Sequence, residues 1–90
     1  MSIELLIGCS SDAVLGAVVK IAGNGDYRWR FVRPRDSLFI FRDSVGIIAI
    51  DPGAKNTRQE SWIIDDLTHT YRNKLKRIGF VEGEDYDFGA

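Results

Sequence analysis

The segment Cys9-Ser10-Ser11-Asp12 is where side chains of this chain first come together in a way that could do chemistry. A thiol at the mouth of a helix loses its proton more readily than a free cysteine and becomes a nucleophile. The free backbone N–H groups of the same helix start, with the two serine hydroxyls, could hold an anion. A hydrolase built on this thiol needs a histidine base, and His69 is the only histidine. His69 stands two residues from both Leu67 and Tyr71, which turns it away from their face and makes it a solvated helix residue. Cys9 then reads as a small buried residue, and the serines read as helix caps. Asp65 and Asp66 diverge by about 100° around a helix axis, so the pair does not clamp a metal by itself. No phosphate loop, zinc spacing or nucleophile elbow occurs. With no acid, base and nucleophile set, no metal ligand set and no cofactor motif, the expectation is a protein that is not an enzyme.

One short segment points the other way. Ile48-Ala49-Ile50-Asp51-Pro52-Gly53 resembles the strand that opens the RuvC-type ribonuclease-H-like nucleases, where an Asp-Pro-Gly carries a metal-binding carboxylate. The resemblance would make Asp51 that ligand, and Asp51 joins Cys9 as a basis for a minimal enzyme. It covers these six residues only. In that family the motif lies on the first strand and further strands follow it, whereas here it lies on the fourth and a capped helix follows. Two-metal chemistry also needs several converging carboxylates. A turn that ends a strand accounts for Asp-Pro-Gly without chemistry.

The strongest binding signal is Tyr27-Arg28-Trp29-Arg30-Phe31-Val32. Period-two alternation puts Tyr27, Trp29 and Phe31 on one face of a strand and Arg28 and Arg30 on the other. Joined by Phe39 and Phe41, the aromatics form a layer. The simpler reading places that layer under helices and leaves the arginines on an open sheet face, suited to an anionic partner. The alternative displays the aromatics, which then stack on bases of a single strand. With Arg33, Arg35 and Arg42 added, Tyr27, Arg28, Trp29 and Arg30 are the candidate binding surface. The basic end of the second helix, Arg72, Lys74, Lys76 and Arg77, is a secondary patch.

These residues need elements to position them. Ile3 to Ile7 is an apolar run read as a buried strand. A helix capped by Ser10 or Ser11 runs to Ala22 and stops at Gly23. It is apolar nearly all round, with Lys20 almost its only polar interior residue, so part of it should cover an interface. Three strands follow, over Tyr27–Val32, Leu38–Arg42 and Val45–Ile50, joined by short turns as an antiparallel meander. Thr57 and Glu60 form a capping box for a helix from Arg58 to Ile78. Trp62, Ile63, Leu67, Thr70, Tyr71, Leu75 and Ile78 share its apolar face, and Gly79 ends it. Residues 81–90 either remain a loose acidic tail or add an edge strand through Tyr86-Asp87-Phe88. The predicted fold is α+β, a two-layer sandwich in the order β-α-β-β-β-α, with two helices on one face of a mainly antiparallel four-stranded sheet. The other face is left uncovered.

At 90 residues, 44% hydrophobic and 28% charged, the chain has the composition of one folded domain rather than a disordered segment. The net charge of −1 argues against a polybasic nucleic-acid binder. It hides an asymmetry: Arg28 to Arg42 holds five arginines against Asp36, while Glu82, Glu84, Asp85 and Asp87 follow Arg77 with no base. With a single cysteine, no disulfide forms within the chain, and Met1-Ser2-Ile3-Glu4 resembles neither a signal peptide nor a membrane span. The expected setting is the cytoplasm, away from membranes. The leading expectation is a small protein that binds another protein, as a regulator, inhibitor or accessory subunit, or as a homodimer. Nucleic-acid binding through the arginine strand is the alternative.

Overall fold

The computed structural model describes residues 4–24, 27–34, 44–53 and 60–89. β1 (Leu5–Cys9) starts later than the Ile3 expected, and it carries Cys9 as its last residue rather than in a loop. Ser11 caps α1 (Asp12–Gly23): its hydroxyl accepts the Val14 N–H at 3.3 Å. β2 (Arg28–Val32) and β3 (Gly46–Asp51) follow. α2 (Glu60–Ile78) leads to β4 (Tyr86–Gly89).

The sheet runs β2-β3-β1-β4, and every neighbouring pair is antiparallel. β1 and β2 therefore point the same way with β3 inserted between them, which is the split βαβ arrangement of ferredoxin-like folds. That topology carries no function with it. The two helices and four-stranded antiparallel sheet of an α+β sandwich are present. Among the described residues the fourth strand is the C-terminal one, the edge strand offered by Tyr86-Asp87-Phe88, and not a loose tail. The strand expected over Leu38–Arg42 lies outside the described residues. The meander is corrected: β2 pairs directly with β3, Trp29 opposite Ile50 and Phe31 opposite Ile48. β3 is apolar on both faces, which draws it to the interior between β2 and β1.

Both helices pack on one face, where Leu5, Ile7, Cys9, Ile48, Ile50 and Tyr86 meet Val14, Val18 and Ala22 of α1 and Ile64, Leu67, Tyr71 and Leu75 of α2. The apolar helix that should cover an interface is not found in that form. Asp12, Ala13, Gly16, Lys20 and Gly23 make up the exposed side of α1, so what it shows to solvent is small or charged. On α2, Trp62 does not share the core face; it is 74% exposed, and Ile64 is buried instead. Two residues turn a helix by about 200°, so the two side chains point to opposite sides. Thr70 and Ile78 are exposed as well. At the helix end the Gly79 N–H donates to Lys76 C=O (3.0 Å) and the Phe80 N–H to Leu75 C=O (3.1 Å). Gly79 has φ +115°, a left-handed conformation that favours glycine. The capping box involves Thr57, outside the described residues. The face away from the helices is not open at its centre, because Ile47 and Ala49 there are fully buried.

Candidate functional site

β2 stands at one edge of the sheet with β3 as its only strand partner among the described residues. Its alternation places Trp29 and Phe31 on the helix face and Arg28 and Arg30 on the opposite face, across from Asp51 and Ala49. The aromatics thus lie on the core side, as the simpler reading has it, but they extend beyond the cover of the helices. Tyr27 is 38% exposed, Trp29 39% and Phe31 47%. Tyr27 lies close enough to Tyr71 to add to the rise in its phenol pKa, which burial mainly causes. Phe31 packs over Gly46, where an added Cβ would come within 2.5 Å of the ring. Gly46 stands diagonally across from Phe31 on the same face, and its missing side chain makes room for the ring. Phe39 and Phe41, expected to extend this layer, lie outside the described residues.

The arginines divide by partner. Arg30 makes a two-pronged contact with Glu4, Nη2 to Oε1 at 2.8 Å and Nε to Oε2 at 3.2 Å, which raises its pKa further. Arg28, on the same face, forms no ion pair among the described residues, and Arg33 is exposed just past the strand. Arg35 and Arg42 lie outside the described residues. Beside Arg28 is a cavity of about 290 Å³ lined by Glu4, Arg28, Trp29, Arg30, Ala49 and Asp51. Ala49, itself fully buried, lies between two arginines and two carboxylates in that lining.

The secondary patch is not a unit. The Arg72 Nε donates to Glu82 Oε1 at 2.5 Å, and its guanidinium lies 5.3 Å from the centre of the Phe88 ring. It is thereby held against the β4 side of the molecule. Lys74, Lys76 and Arg77 remain exposed on α2, and Lys74 and Lys76 diverge by about 200° around its axis.

The other edge differs from β2. The Gly83 N–H donates to Tyr86 C=O (2.7 Å), and the Phe88 N–H donates to the Asp87 carboxylate (2.9 Å). Asp85 accepts the Val81 N–H at 2.7 Å. The acidic run therefore closes its own turn and edge. Arg28 and Arg30 on β2 and the acidic run at β4 stand on opposite edges of the sheet, three strand spacings or about 14 Å apart, so these two arginines do not neutralise that run across the sheet. Among the described residues no turn or side chain caps β2 in the same way.

The catalytic candidates have structural roles. Cys9 is fully buried, and burial pushes its thiol pKa up to about 12, the opposite of an activated nucleophile. The Asp51 carboxylate accepts the Gly53 N–H at 2.8 Å, with Gly53 at φ +81°, a turn that ends β3. No group of three or more His, Cys, Asp or Glu side chains is placed to hold a metal among the described residues. Sequence reasoning missed Glu4 as the partner of Arg30, Gly46 as the seat of Phe31 and Glu82 as the partner of Arg72. Each depends on contacts remote in sequence; the clearest local signal was a glycine opening an otherwise apolar strand. No described helix is long and apolar enough to cross a membrane. No protein-family model matches this chain, and no curated protein or solved structure is significantly similar to it.

Proposed function

We propose that this chain is a protein-binding module, a cytosolic regulator, inhibitor or accessory subunit, that takes a strand of its partner along β2. The observation that carries this reading is the contrast between the two sheet edges. β4 is closed by its own turn and by Asp87, whereas β2, among the described residues, has no strand, turn or side chain on its outer edge and is flanked by half-exposed aromatics. Natural sheets usually protect such an edge, and an edge left available is the basis of recognition by strand addition. Aromatic side chains and arginine are also the residues that most often anchor protein interfaces.

Nucleic-acid binding gains no such support. Arg30 and Arg72 are already engaged by carboxylates, and the other described bases are scattered over α1 (Lys20), β2 and its end (Arg28, Arg33) and α2 (Lys74, Lys76, Arg77). The discriminating experiment places a photo-crosslinking amino acid at position 31 on β2 and, separately, at position 74 on α2, in cells that produce the protein. The expected result is a defined protein adduct from position 31 and none from position 74. Adducts equal at both positions, or adducts to nucleic acid, would overturn the reading.

A further inference from the structure

We infer that the strand taken up by β2 alternates apolar with acidic residues. This inference rests on the proposed function and specifies the chemistry of its partner. An added strand continues the sheet, so its side chains alternate between the same two faces as those of β2. On the helix face they meet Trp29 and Phe31, whose half-exposed rings favour apolar contacts. On the other face they meet Arg28 and Arg30.

The two arginines are not equivalent. Arg30 is already paired with Glu4. Arg28 has no ion pair among the described residues, and the cavity of about 290 Å³ that it lines lies inward, over Ala49 and Asp51 of β3, so its outer side is left to the incoming strand. Asp51 stands directly across from Arg28 but bonds the backbone of its own turn rather than the guanidinium. A carboxylate on the incoming strand opposite Arg28 would supply the partner that no described residue supplies. A basic residue in that place would meet two arginines, and like charges directly opposite one another destabilise a strand pair. A second copy of this chain, pairing β2 with β2, would bring arginines to the same face and lacks this complementarity.

The test uses two end-blocked synthetic peptides, one alternating valine with glutamate and the other valine with lysine, titrated against the protein carrying Trp62→Phe, which leaves Trp29 as its one tryptophan, while fluorescence is followed. The Val/Glu peptide is expected to bind at least tenfold more tightly than the Val/Lys peptide. Arg28→Gln should reduce that ratio to near one, while Lys74→Gln, far along α2, should leave it unchanged; circular dichroism of each variant checks that it folds. N-methylation of alternate peptide bonds in the Val/Glu peptide should remove binding, because strand addition depends on backbone hydrogen bonds. Equal binding of both peptides, abolished by N-methylation, would overturn the acidic preference and leave strand addition standing. Binding indifferent to N-methylation, or no binding by either peptide, would overturn both. Concentration-dependent dimerisation lost in Phe31→Pro would identify a second copy as the occupant instead, and would overturn this inference.

Discussion

Replacing Tyr86 by phenylalanine should stabilise the protein. Tyr86 is fully buried, and its hydroxyl oxygen has no hydrogen-bond partner. A buried polar group without a partner costs about 1–3 kcal/mol relative to leaving it in water. Phenylalanine keeps the ring, its core contacts and its edge-on packing against Phe88, at 5.5 Å between ring centres and 76° between planes. The variant loses only the oxygen, so a gain of about 1 kcal/mol is expected, at the lower end of that cost, because some void is left behind. For a domain of this size about 1 kcal/mol moves Tm by about 4–8 °C. Urea denaturation should show a higher midpoint with an unchanged slope, since the surface exposed on unfolding stays the same. The phenol also titrates. Burial, followed by the nearby Glu82, raises its pKa above the ordinary 10.0. A raised pKa keeps the folded state protonated after the unfolded state has ionised, so this contribution is full below pH 10.0 and is lost as pH rises through the folded pKa. The variant should therefore lose less stability above that pH than the parent does. A loss of about 1 kcal/mol in Tyr86→Phe would refute the reasoning, because it would mean that the hydroxyl is hydrogen-bonded in solution.

Cys9 should react with a thiol reagent at neutral pH far more slowly in the folded protein than free cysteine does, and prompt stoichiometric labelling would contradict its burial. Its raised pKa adds stability that is present below 9.0 and is lost between there and about 12, at up to about 1.4 kcal/mol per pH unit. Cys9→Ala should flatten that alkaline decline. Gly46→Ala should cost about 1–3 kcal/mol, because its Cβ would overlap the Phe31 ring in a packed site; ring displacement should also change Trp29 fluorescence, and a neutral variant would show that Phe31 moves aside freely. Labelled single- and double-stranded oligonucleotides titrated by fluorescence anisotropy should show no binding at moderate salt. Binding that weakens steeply as salt rises would instead favour a phosphate-contacting surface.

The sequence carried the elements further than it carried their arrangement. Alternation over Tyr27 to Val32 and helical spacing through Leu67, Tyr71 and Leu75 are local signals, and both led to the right kind of element. Trp62 was misplaced because Trp62 and Ile64 fit a loosely drawn stripe equally well, and only packing against the sheet selects Ile64. Strand order depends on register between distant segments. No local pattern places β3 beside β2 or makes Tyr86–Gly89 a full member of the sheet. The candidate site shows the same division. The aromatic and arginine residues stood out at once, whereas the pairing of Arg30 with Glu4 and of Arg72 with Glu82 appears only when the fold brings them together. These contacts matter because they engage Arg30 and Arg72 with carboxylates and leave Arg28 and Arg33 without an ion pair among the described residues, which favours strand recognition over phosphate binding.

Amide hydrogen exchange, resolved residue by residue, tests the central claim that β2 is an available edge. β3 lies between two strands, so all of its amides from Ile47 to Ile50 should be protected to a similar high degree. In an antiparallel edge strand only alternate amides face the neighbour, so protection along Arg28 to Val32 should alternate between high and near zero. Uniform protection of β2, matching that of β3, would mean that its outer edge is already paired and would contradict the account.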